Sequence, residues 1–82
     1  MNTDILKAIS DQTRLKLLEK ISKKEICACK LPDIVNKTQP AVSQHLKVLL
    51  DSKLVRIRKD GTMRLYSITN KGKQVLSDIL RW

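Results

Sequence analysis

The sequence predicts a mainly α-helical domain carrying one small β-hairpin, and three observations lead there. Apolar residues recur at helical spacing over residues 38 to 50, the period shortens to two after Ser52, and helical spacing returns after Thr69. At 82 residues the chain is long enough for a single domain, 1–82, with a modest core. Tyr66 and Trp82 are its only aromatics, so Leu, Ile and Val must do the packing. Seventeen Lys and Arg against eight Asp and Glu leave a net charge of +9. Such an excess points to a polyanionic partner, of which nucleic acid is the usual one. No apolar run can span a bilayer and no signal peptide opens the chain, so no membrane partner is expected. Two cysteines two residues apart make no disulfide framework and fit a reducing cytoplasm.

The first helix is expected over residues 3 to 9, capped by Thr3, with Ile5, Leu6 and Ile9 on one side. Ser10 or Asp11 interrupts it and caps a second helix over about 12 to 22. There Leu15, Leu17, Leu18 and Ile21 cover nearly half the circumference, as a central, buried helix requires. Arg14 falls inside that arc and is expected to snorkel or to pair with a carboxylate such as Asp11. Ser22-Lys23-Lys24 reads as a polar turn. Glu25 to Lys30 lacks helical periodicity and suits a short strand or a lead-in to the next helix. Pro32 occupies a first helical position there, Leu31, Ile34 and Val35 form an apolar patch, and Asn36-Lys37 closes the element.

Thr38 then caps the helix of residues 38 to 50, with Pro40 tolerated in its first turn. Val42, Leu46, Leu49 and Leu50 form its apolar stripe. Pro40, Gln44, Lys47 and Asp51 lie opposite, flanked by Ala41 and Ser43. Small and amide-bearing residues let a helix approach base edges and hydrogen-bond them. Two short helices joined by so tight a turn fit a helix-turn-helix whose second helix reads DNA. His45, the only histidine, flanks the stripe, where a phosphate or base contact or a surface hydrogen bond is expected rather than a metal. No pocket or orienting acid supports Ser-His-acid catalysis, so an enzyme is not expected.

Leu54 to Arg58 and Thr62 to Ile68 read as two strands. A three-residue loop with Gly61 left-handed pairs Ile57 with Met63 and Val55 with Leu65. It sets Arg56 opposite Arg64, beside Arg58, as a basic face for an external anion. Thr69 caps the last helix, whose stripe is Val75, Leu76, Ile79 and Leu80 with Trp82 at its end. Gly72, within that stripe, is either a tolerated first-turn glycine or a site of close approach by another helix. A core this small is not expected to cover both Ile5-Leu6-Ile9 and the last stripe, so the two are expected to pair across a twofold axis.

Helix, helix, helix, reading helix, basic hairpin, helix is the winged helix-turn-helix order. The chain resembles the bacterial and archaeal ArsR/SmtB repressors, dimeric transcription factors. The resemblance runs through Ser10 to Leu15, Glu25 to Cys29, Gln39 to Leu49 and Leu54-Val55-Arg56, and Thr38 to Lys47 is the most specific part. It implies that residues around Gln39, Pro40, Ser43 and Gln44 contact bases of a palindromic duplex, and that the Arg58-to-Arg64 wing, with Lys59, touches backbone. It also implies that the terminal helices form a homodimer. Arsenite and soft-metal sensors of that family put a Cys-x-Cys pair where Cys27 and Cys29 lie, but Lys30-Leu31-Pro32 stands where a third cysteine follows. The other familiar sensor site is absent, because the last helix has no His and only Asp78. Cys27 and Cys29 therefore leave three roles open: a thiophilic metal or metalloid site, a redox pair, or a vestige. In an extended segment both thiols would point to one side. A winged-helix protein–protein adaptor and a small thiol metal carrier are the alternatives to a DNA-binding regulator, and salt-sensitive duplex binding separates it from both.

Overall fold

The computed structural model describes residues 3 to 81, with side chains from Ile5 onward. The expected cap at Thr3 and the interface role of Trp82 lie outside the described side chains. The order is α1 (Thr3–Ile9), α2 (Gln12–Lys23), β1 (Ile26–Cys27), α3 (Leu31–Val35), α4 (Gln39–Asp51), β2 (Val55–Asp60), β3 (Met63–Ile68) and α5 (Asn70–Leu80). This is a helical assembly flanked by a three-stranded antiparallel sheet of order β1-β3-β2, the winged-helix arrangement.

Asp11 caps α2 by accepting the backbone N–H groups of Thr13 and Arg14. Leu17, Leu18 and Ile21 of that helix are buried, and α2 packs on α1, α3, α4, α5 and β3. It is the centre of the core, as the breadth of its apolar arc requires. Leu31 from α3, Val42, Leu46 and Leu49 from α4, and Leu54 complete the set of large fully buried side chains, and Ala8 of α1 is fully buried with them.

Both ends of the reading unit are fixed locally. Asn36 closes α3 in the left-handed conformation at φ 56°, which asparagine tolerates. Thr38 then caps α4 through the N–H of Ala41. At the far end Lys53 takes φ 62°, and the N–H groups of Lys53 and Leu54 return to the carbonyls of Leu50 and Leu49. That is a Schellman closure with lysine at the position glycine usually fills. It turns the chain directly into the wing.

The hairpin register differs from the expected one. Val55 faces Ile68, Ile57 faces Tyr66, Arg58 faces Leu65 and Lys59 faces Arg64. Gly61 and Thr62 form a two-residue turn, with Gly61 at φ 63° as a primed hairpin turn demands. Strand β3 has apolar residues on both faces: Met63 and Leu65 on one, Tyr66 and Ile68 on the other. Alternation alone does not choose between them. The rest of the core does: Tyr66, paired with Ile26, and Ile68, paired with Val55, are buried in the core, while Met63 is left exposed.

Gly72 is a site of close approach, though not to a helix. A Cβ there would collide with the backbone carbonyl of Leu54 and lie 2.7 Å from Ile68 Cγ1. Thr69 organises the same junction, accepting the N–H of Gly72 and donating its hydroxyl to the carbonyl of Lys53 at 2.7 Å.

Candidate nucleic-acid interface

The outer face of α4 exposes Gln39, Pro40, Ser43, Gln44 and Lys47 in sequence, with Thr38 exposed at its cap and Ala41 half-buried. The inner stripe anchors this face against α2, so the exposed side chains stand on a rigid base. Gln39 donates its amide to Ser43 Oγ at 3.4 Å, one turn along the helix. His45 is half-buried and turns inward: its Nδ1 lies 3.2 Å from a guanidinium nitrogen of Arg14.

Arg14 neither snorkels nor bridges to the Asp11 side chain. Its remaining nitrogens donate to the backbone carbonyls of Ala8 and Lys7, the last turn of α1. Carbonyls in the last turn of a helix lack intrahelical N–H donors and carry the negative end of its dipole, which draws the charge there; the Lys7 carbonyl also accepts the Ser10 hydroxyl at 2.9 Å. Asp11 instead accepts the backbone N–H of Arg14, which holds its carboxyl below the ordinary value.

The wing is basic, but its arginines are not gathered on one face. Arg56 and Arg58 share the outer face with Ser67 and Leu65, while Arg64 stands beside Lys59 on the other. Arg56 donates to Ser67 Oγ at 3.2 Å. Arg58 forms a two-pronged ion pair with Glu25, at 2.9 and 2.8 Å. The guanidinium hydrogen bonds lower the Glu25 pKa, and the carboxylate raises that of Arg58. Glu25 escaped the sequence reading because its partner lies 33 residues away and nothing local marks it.

The cysteines meet in a turn rather than along an extended strand. β1 ends at Cys27, and the N–H of Lys30 returns to the Cys27 carbonyl at 3.0 Å. This folds Cys29 back so that its N–H donates to Cys27 Sγ at 3.4 Å. Cys27 is buried and Cys29 exposed. The Cys29 thiol, and then its backbone N–H, lower the Cys27 pKa, while the Cys27 sulfur raises that of Cys29. Among the described residues, no three His, Cys, Asp or Glu gather closely enough to hold a metal ion.

Of the expected dimer face, Leu6 is 45% and Leu80 67% exposed, with Ile5, Ile9, Val75 and Ile79 half-buried. Leu76 is 7% exposed and belongs to this chain's own core. No helix among the described residues is long and apolar enough to cross a membrane.

A small helical core that presents a capped reading helix beside a basic hairpin defines a winged helix-turn-helix DNA-binding module. Residues 11 to 56 match the family profile described as bacterial regulatory protein, arsR family, and the chain belongs to that family of transcriptional regulators, which are not enzymes. It is 40% identical over 77 residues to the arsenical resistance operon repressor of Staphylococcus aureus, covering 94% of this chain and 71% of that protein. To the repressor of the same description from Staphylococcus xylosus it is 40% identical over 67 residues, covering 82% of this chain and 64% of that one. The crystal structure of NolR from Sinorhizobium fredii superposes with a TM-score of 0.86 at 29% identity, covering 94% of this chain and 78% of that chain.

Proposed function

We propose that this chain is a single-domain repressor that binds a palindromic DNA site as a homodimer in the cytoplasm. A thiophilic metal or metalloid ion at Cys27 and Cys29 releases it. The observation that carries the DNA reading is the exposed row Gln39, Pro40, Ser43, Gln44 and Lys47 on a helix whose other face is locked into the core. Gln39, Ser43 and Gln44 address base edges, Thr38 and Lys47 the adjoining phosphates, and Arg56, Lys59 and Arg64 the flanking backbone. Leu6, Ile9, Ile79 and Leu80 form the surface that a second copy covers.

Three points support the metal arm: the paired thiols, the turn that brings the Cys29 N–H onto Cys27 Sγ, and the description of the staphylococcal relative as an arsenical resistance repressor. Two sulfurs are fewer than a closed site needs, so a small thiol or the partner subunit supplies the third donor. Binding draws the turn before α3 around the ion, and α3 passes the change to α4. Titrating the duplex complex with arsenite and with Cd(II) tests this. Release of the wild type, with retention of the Cys27→Ser/Cys29→Ser variant on DNA, is the expected outcome. A wild type indifferent to both ions leaves a DNA-binding regulator whose cysteines carry no metal signal.

A further inference from the structure

We infer that His45 works inward, as the acceptor of a hydrogen-bond clamp on Arg14 that sets the rotation of the reading helix. It is not a DNA contact. The inference rests on α4 being the reading helix. The guanidinium of Arg14 joins three elements. From α2 it donates through Nε to the Ala8 carbonyl at 3.0 Å and through one terminal nitrogen to the Lys7 carbonyl at 2.7 Å, both on α1. Its other terminal nitrogen meets His45 Nδ1 on α4 at 3.2 Å.

Arginine is planar and keeps its protons, so the two bonds to α1 fix the direction in which the third must point. His45 Nδ1 then has to be the acceptor, which requires a neutral ring with its proton on Nε2. Asp11 anchors the base of Arg14 by accepting its backbone N–H at 3.1 Å. The apolar contacts of Val42, Leu46 and Leu49 hold α4 against α2, but hydrophobic attraction has no direction. The Arg14–His45 bond has one. His45 is next in sequence to Gln44 and two positions from Ser43, so a small turn of the helix about its axis re-aims both. His45 and Arg14 are positioning residues, and through Lys7 and Ala8 they couple the reading face to α1.

The test uses the full chain and a duplex that the wild type recovers from a random-sequence pool. His45→Leu and Arg14→Gln should each lower affinity about tenfold, the scale of one hydrogen bond to a charged group. Neither should change the salt slope, since His45 neutralises no phosphate. His45→Asn, whose amide oxygen stands near the Nδ1 position, should restore binding to within about twofold. Nitrogen-15 imidazole spectra of the free protein supply a readout independent of DNA: they should show the Nε2–H form, lost in Arg14→Gln. A ring protonated on Nδ1, or His45→Asn as damaging as His45→Leu, overturns the clamp alone. A wild type that recovers no sequence overturns it together with the reading on which it rests.

Discussion

At the junction of β3 and α5, one hydrogen atom in place of a methyl group decides how closely the last helix approaches the start of the wing. Gly72→Ala would drive a Cβ into the Leu54 carbonyl, a backbone atom that cannot swing away. A loss of roughly 2 kcal/mol or more is expected, read as a lower urea midpoint at unchanged m value. Sequence left this glycine between two explanations because the atom it avoids belongs to residue 54. Partners on other elements likewise hid the role of Arg14. Its position on the apolar arc of α2 was legible, but the carbonyls and the imidazole that receive its protons come from α1 and α4. Reading Asp11 as its partner chose the nearest opposite charge, whereas Asp11 accepts the backbone N–H groups of Thr13 and Arg14 through Oδ1.

Helices α2, α4 and α5 were legible as elements because each carries its own stripe and cap: Asp11, one of the two residues expected there, Thr38 and Thr69. The wing was legible only as a hairpin. Its register depended on which apolar face of β3 the rest of the protein would bury, and the core that buries Tyr66 and Ile68 is gathered from residues as distant as Leu17, Leu18 and Ile26. The corrected register separates Arg64 from Arg56 and Arg58 and leaves Arg58 held by Glu25. A carboxylate on Arg58 competes with any phosphate for the same donors. Glu25→Gln should therefore tighten duplex binding at low salt and steepen the plot of log K against log salt by about one unit, as a further phosphate contact would. An unchanged slope would mean that Arg58 does not reach the backbone.

At the scale of the whole fold, each of the two terminal helices leaves an apolar residue, Leu6 on α1 and Leu80 on α5, that this chain's own core does not cover. A twofold arrangement burying both sets two copies of α4 on one duplex, about one DNA turn apart. Ile79→Glu places a charge on α5 while sparing the buried Leu76. It should sediment as a monomer and lose DNA affinity by more than tenfold, whereas a wild-type monomer that binds tightly at micromolar concentration would remove the dimer from the account.

The central claim, that the outer face of α4 reads DNA sequence, is tested most directly by comparing enrichment from a random-sequence duplex pool by the wild type and by Gln44→Ala. The wild type should enrich a palindrome. Gln44→Ala should lose preference at one position in each half-site, at a cost of about 1–3 kcal/mol for the favoured sequence. Identical enrichment by the two proteins would mean that α4 is not the part that reads.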